Sequence, residues 1–223
     1  MNGGKTITMN TAIVPAVYLE PEERLFKAID FCKYYREVTP NWNQLALDDG
    51  SSLESLSKLR AACTWTNVLS FAKHYGRPSH LDYIYSWRAL YFASVIFSYW
   101  EYDKVILMSD DLYILSRRMM EYIDSQPSGW TTFWCPAHSF PETSCQVIVR
   151  GCEQFETFVE DRNISKHNGK LMENVLPFTY VNKEMVGDRY GERSLRDQPT
   201  DIDSIDFWAQ ATNERRFTGA DLH

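Results

Sequence analysis

Short apolar runs alternate along this chain with stretches of helical period, and that alternation sets the expected architecture. Residues 11–18 (TAIVPAVY) read as a first strand that breaks at Pro15. Pro21-Glu22-Glu23 opens a helix, because proline suits a first turn and acids favour the positive end of the helix dipole. Leu25, Ile29 and Cys32, with Phe26 beside them, give it an apolar face, and Pro40 ends it. A second strand at 42–47 leads through Gly50-Ser51-Ser52 into a helix beginning near Leu53, and 66–71 reads as a third strand. After a polar turn at Gly76-Arg77-Pro78, a long helix over about 81–100 feeds a strand at 104–108. The next helix turns Leu115, Met119, Tyr122 and Ile123 inward.

Beyond Gly129 the pattern is shorter. Residues 130–135 and 144–149 read as strands, 152–161 as a helix and 160–170 as a polar loop. A tail dense in Asp and Arg starts at Arg193, with a short helix expected near 205–211. The β-α-β-α order predicts an α/β fold: a mostly parallel sheet with helices on its faces. At 223 residues the chain suits one domain, with halves at about 11–124 and 125–223.

Composition narrows the function. A formal charge of −7 argues against a nucleic-acid surface, which needs a basic patch. The five cysteines are odd in number and contain no CxxC pair, which points to reduced, buried thiols and a cytoplasmic protein. Residues 1–10 are polar and contain no apolar signal region. The aromatic stretch 83–100 carries Ser86 and Arg88 and is flanked by Asp82, Glu101 and Asp103, so a buried helix is expected there and no membrane span.

The chemistry concentrates at two strand ends. Ile106-Leu107-Met108-Ser109-Asp110-Asp111 is an apolar run closed by two carboxylates, and Leu45-Ala46-Leu47-Asp48-Asp49-Gly50 repeats the pattern about sixty residues earlier. Ligands of open α/β sheets bind beyond the carboxyl ends of the strands, so both pairs are expected to face one crevice. Adjacent carboxylates repel unless a cation or strong donors lie between them, and a divalent metal carrying a phosphorylated ligand supplies that charge.

Together these residues resemble a known family. The strand–VPAVY–helix–strand–Asp-Asp-Gly-Ser order, followed by strand–Ser-Asp-Asp, is similar to inverting family 2 glycosyltransferases of the GT-A fold, nearest to the bacterial spore-coat polysaccharide type. The likeness covers roughly 11–124 and only patches beyond. It implies transfer of a hexose from a UDP- or dTDP-sugar to a glycan or small hydroxyl acceptor. It also implies that Asp111 coordinates Mn²⁺ or Mg²⁺, with Asp110 on the ribose or beside the metal. Asp49 would accept the base N3–H, and Pro15, Ala16 and Val17 would border the nucleotide. Arg88 would hold the diphosphate or the base-binding acid, or else form a structural ion pair. The family's usual aspartate two positions before the second metal-motif aspartate is replaced here by Met108 or Ser109, depending on how the motif is framed, which implies modest metal affinity.

An inverting transfer needs a base for the acceptor hydroxyl. Asp188, in Gly187-Asp188-Arg189, and Glu173, after Gly169-Lys170-Leu171-Met172, are the two candidates, with Glu192 behind them. His138 is a candidate acceptor contact or a structural loop histidine. The sequon Asn163-Ile164-Ser165 reads as chance in a cytoplasmic chain, and Asp201, Asp203 and Asp206 as a solvated acidic face. Two other functions compete: a sugar-1-phosphate nucleotidyltransferase, which would need a glycine-rich loop where Pro15–Glu20 has none, and a non-catalytic nucleotide-sugar-binding domain.

Overall fold

The computed structural model describes residues 9–76, 84–161, 164–167, 169–190 and 201–209. Its centre is a seven-stranded sheet of order β3-β2-β1-β4-β7-β6-β8, made from β1 (Thr11–Val17), β2 (Asn43–Asp48), β3 (Thr66–Ser70), β4 (Lys104–Ser109), β6 (Trp130–Cys135), β7 (Phe140–Val149) and β8 (Tyr180–Asn182). Strands β3, β2, β1 and β4 are parallel, β7 runs antiparallel to both β4 and β6, and β8 is parallel to β6. The expected mostly parallel sheet is present.

Both faces of the sheet are covered, and this explains the continuous apolar runs in its strands. Along β4, Ile106 and Met108 enter one core with α1 (Glu22–Val38), α2 (Leu53–Ala62) and α4 (Arg117–Ser125). Val105 and Leu107 enter the opposite core with α3 (Ile84–Tyr99) and α5 (Glu153–Glu160). Leu25 and Cys32 of α1 are buried as expected, but Phe26 is 56% exposed and belongs to the outer face. Among the described residues no helix is long and apolar enough to cross a membrane.

β1 does not break at Pro15. It pairs continuously with β4 from Thr11 to Ala16, and the β2 register lapses only at Val14 and Pro15, so the proline's missing donor is accommodated on that side. Strand β7 starts at Phe140, earlier than the apolar run suggested, and the 160–170 segment contains a 3₁₀ turn, Ile164–His167. No helix forms at 205–209. A 3₁₀ turn, Ile202–Ser204, leads into β10 (Phe207–Trp208), which joins β5 (Tyr113–Ile114) and β9 (Gly187–Asp188) in a small second sheet. Residues 210 and 211 lie outside the described residues. Gly187 is required in β9 because a Cβ there would sit 2.3 Å from the Phe207 ring.

Asp206 joins this small sheet to α4. It is 3% exposed and accepts from Ser116 Oγ, Arg118 and, at 2.6 Å, the Val186 N–H, so it is not part of a solvated acidic face. Burial works to raise its pKa, but Arg118, Ser116 and Val186 outweigh it and hold the carboxyl below the usual range. Asp201 and Asp203 are exposed as expected. Lys104 is fully buried and donates to the carbonyls of Ile123 (2.5 Å) and Asp124 (2.8 Å), closing the C-terminal end of α4.

His167 packs on Trp87, with ring centroids 4.3 Å apart, and on Phe158 at 5.3 Å. Neither ring nitrogen has a hydrogen-bond partner among the described residues. Burial pushes its pKa below the ordinary histidine value of 6.5, with the nearby Lys166 and Lys170 adding to the effect. Between the lowered native pKa and the unfolded value the unfolded chain binds more protons, so stability rises with pH. The His167 contribution is fully present above the unfolded pKa and is lost as pH falls below it. A wild-type Tm that drops from pH 7 to pH 5, and drops less in His167→Phe, is the expected result. Equal slopes in the two proteins would show that His167 does not titrate with folding.

Candidate active site

The two Asp-Asp pairs do different things. Asp48 and Asp49 are both fully buried. Asp48 accepts from the N–H groups of Gly50 (3.0 Å) and Ser51 (2.9 Å) and from the hydroxyls of Ser51 and Ser70, so it ties its own turn to β3. Asp49 accepts from the Tyr75 N–H at 3.0 Å and the Gly76 N–H at 2.6 Å, and His74 Nδ1 lies 2.8 Å from it. Gly50 has φ +77°, and a Cβ on it would meet the Lys73 carbonyl carbon at 2.2 Å, so only glycine lets the two loops come together. The Tyr18 and His74 rings stack at 3.8 Å, and the Arg88 guanidinium lies 3.8 Å from the centre of the Tyr75 ring. Arg88 Nε is buried and has no hydrogen-bond partner among the described residues. The two acid pairs, expected to face one crevice, do not line the same cavity: Asp111 does, while Asp48 and Asp49 are bonded to their own loops.

The second pair is at a cavity. A space of about 410 Å³ opens beside the carboxyl ends of β1 and β4, lined by Ala16, Ser109 and Asp111 on that side and by Thr143, Ser144, Glu173 and Arg189 on the other. Of the three residues expected to border a nucleotide on β1, only Ala16 lines it; Pro15 and Val17 are buried within the strand. The segment just past Asp111 is held from α1. Tyr34 donates to the Ile114 carbonyl at 2.6 Å, while Tyr35 donates to the Leu112 carbonyl at 3.2 Å and accepts from the Ile114 N–H at 2.9 Å.

Burial, then the charge of neighbouring Asp111, pushes the Asp110 carboxyl up to about 7. Asp111 is also raised, first by burial and then by Glu142, against a hydrogen bond with Ser109 that acts to lower it. Two adjacent carboxylates strained in this way fit a divalent cation. Among the described residues no group of three or more Asp, Glu, His or Cys side chains gathers as a metal cage. Mg²⁺ and Mn²⁺ commonly take one or two carboxylates and complete their shells with phosphate and water.

The far wall comes from an irregularity in β7. Thr132 pairs with Gln146 but Phe133 pairs with Glu142, so Thr143, Ser144 and Cys145 bulge out of the β6–β7 ladder. Thr132 Oγ1 bridges the bulge by hydrogen bonding to the carbonyls of Glu142 and Cys145. Bulges commonly re-aim side chains beside active sites, and this one turns Thr143 and Ser144 to the cavity. Glu173 lies opposite, on the 3₁₀ turn Met172–Asn174. Its Oε1 accepts from Thr143 Oγ1 at 3.2 Å and from Arg189 Nη2 at 3.1 Å, while its Oε2 is buried with no partner among the described residues.

Asp188 does not line the cavity. Its Oδ1 accepts from Cys135 Sγ (3.0 Å) and the Arg189 N–H (2.8 Å), and its Oδ2 from the Ala137 N–H (2.8 Å). Of the two candidate bases, Glu173 shares the cavity lining with Asp111, and Asp188 is bonded to the loop after β6. His138 is exposed, stacked on Phe140 with centroids 5.1 Å apart, and outside the cavity lining. Glu192 and Asn163 lie outside the described residues. All five cysteines are free and buried.

The chain matches no model of a known protein family and no curated protein sequence. Its fold does match solved structures. An active-site mutant of LgtC superposes with a TM-score of 0.56 over 95% of this chain and 94% of that one, at 11% identity. The fold is GT-A. Two further GT-A likenesses fall below a TM-score of 0.5. One is the galactosyltransferase LgtC in complex with donor and acceptor sugar analogs (TM-score 0.48, 12% identity, 70% of this chain), where this chain spans 61% of the other's length. The other is a glycosyltransferase involved in glycosylation of the major capsid of PBCV-1 (TM-score 0.49, 12% identity, 95% of this chain and 96% of that one). The superposition on the LgtC mutant shows the GT-A architecture and nothing finer.

Proposed function

We propose that this chain is a metal-dependent glycosyltransferase that moves a hexose from a UDP- or dTDP-sugar to a hydroxyl of a glycan or small acceptor in polysaccharide synthesis. The observation that carries the reading is one cavity in a GT-A fold, lined by Asp111 at the end of β4 and by Glu173, one of whose carboxylate oxygens has no partner among the described residues. The family 2, spore-coat-type resemblance supports the same assignment.

On this reading Asp111, with Asp110 beside it, would hold Mn²⁺ or Mg²⁺. When bound, the ion supplies positive charge against a leaving diphosphate. The chain's own residues do the rest. Ala16 keeps the end of β1 low, leaving room for the diphosphate, with Pro15 and Val17 fixing the strand beneath it. Asp49 shapes the base-binding edge through His74–Gly76, and Arg88 backs that segment through Tyr75. Ser144 Oγ, also buried without a partner among the described residues, is placed to take a sugar hydroxyl. Glu173 Oε2 accepts the acceptor's proton as that oxygen attacks the anomeric carbon and the bond to the diphosphate breaks, an inverting displacement. Asp188 acts on this site only by pinning its loop.

A ligand bound by the native state alone raises stability according to its affinity. UDP or dTDP should therefore raise the melting temperature far more with Mn²⁺ than with EDTA. An equal shift in EDTA would remove the metal from the reading. Metal-dependent binding with no turnover of any donor would favour a non-catalytic nucleotide-sugar-binding domain.

A further inference from the structure

We infer that Glu142 is a positioning residue for the transfer step: through Arg189 it holds Glu173, which lines the cavity, with one carboxylate oxygen fixed and the other left without a partner among the described residues. The inference rests on the reading of Glu173 as the acceptor's base. Arg189 is a fork between two acids. Its Nε lies 2.6 Å from Glu142 Oε2, and its Nη2 is 3.1 Å from both Glu142 Oε1 and Glu173 Oε1. Glu142 is fully buried, and its Oε1 also accepts from the Ser144 N–H at 2.9 Å, so it cannot swing away. The Phe140 ring lies 4.7 Å from the guanidinium and limits its movement on that face.

The charge arrangement explains why a second acid is useful. A guanidinium paired with Glu173 alone would lie bidentate across both oxygens, stabilise the ionised carboxylate and weaken it as a base. Sharing the fork with Glu142 confines Arg189 to Glu173 Oε1 and leaves Oε2 for the acceptor hydroxyl. Glu142 itself reaches this position through the β7 bulge, which also delivers Thr143 Oγ1 to the same Glu173 oxygen. None of these groups needs to touch the substrate to act.

The test is a double-mutant cycle on transfer rate, with donor KM and the Mn²⁺–UDP thermal shift measured for every variant. Glu142→Gln should lower kcat for transfer by roughly ten- to a hundred-fold, the scale expected for misplacing a catalytic group, with donor KM near normal. Glu142→Gln combined with Glu173→Gln should be no slower than Glu173→Gln alone, because a residue acting through another has no effect once that other is removed. Arg189→Lys keeps a charge but loses the fork, and should show the same non-additivity with Glu173→Gln. If wild-type protein turns over donor and the effects of Glu142→Gln and Glu173→Gln multiply, Glu142 acts independently of Glu173 and the inference fails while the proposed function stands. If wild-type protein turns over no donor, the proposed function fails and the inference goes with it.

Discussion

Asp111→Asn leaves the protein folded and abolishes Mn²⁺-dependent nucleotide binding and turnover. The substitution is nearly isosteric, and Asp111 is held in place by its neighbours: Tyr34 and Tyr35 grip the backbone of Leu112 and Ile114 whatever the side chain at 111. What is lost is one of two adjacent negative charges at the end of β4. Without it only Asp110 remains at that strand end, and burial alone still works to raise its carboxyl above the usual carboxylate range. A metal acting as Lewis acid contributes several kcal/mol to stabilising a leaving diphosphate, so turnover should fall by about a thousand-fold or more. Wild-type Mn²⁺-dependent turnover in Asp111→Asn would show that the second acid pair is not the metal site.

The second large effect separates the two acids that the sequence left as alternatives. Glu173→Gln should reduce transfer by about a hundred-fold or more, the usual range for loss of a general base. Donor binding should remain near normal, because the group acts on the acceptor proton in the transition state. Asp188→Asn should behave differently. One of its carboxylate oxygens becomes an amide, placing a donor against either the Ala137 N–H or the Cys135 thiol and Arg189 N–H that now point at it. An unsatisfied buried donor costs about 1–3 kcal/mol, so Tm should fall while the folded protein keeps transferring sugar within a few-fold of wild type. If Asp188→Asn loses transfer at unchanged Tm and Glu173→Gln does not, the base is Asp188.

The strands and helices up to α4, except the two-residue β5, are legible in the sequence because each is a buried run or an amphipathic period. The acidic strand end at Asp110-Asp111 was legible for the same reason: an apolar run that stops at carboxylates marks where the sheet meets solvent. The roles of Asp48 and Asp49 were not, because both pairs look alike in sequence. Only the fold shows that the first is spent on the backbone N–H groups of Gly50, Ser51, Tyr75 and Gly76. The far wall was hardest to see. It depends on a bulge, and Phe140-Pro141-Glu142-Thr143-Ser144 carries no period; a proline beside a polar run at the edge of an apolar strand was the available signal. Arg189 follows Asp188 directly in the sequence, yet its pairing with Glu142 and Glu173 joins residues 47 and 16 positions apart, and neither spacing is readable from the chain. The β10 segment does not show as a strand in the sequence because its register is set by β5 and β9, not by its own period.

The central claim, a metal-dependent sugar transfer at the Asp111–Glu173 cavity, is tested most directly by nucleoside diphosphate release from a panel of UDP- and dTDP-sugars, with Mn²⁺ or with EDTA. Wild-type protein should release diphosphate from at least one donor with Mn²⁺ and fall to background in EDTA, with Asp111→Asn at background in both. Release that persists in EDTA, or that is absent for every donor while UDP still binds with Mn²⁺, would contradict it.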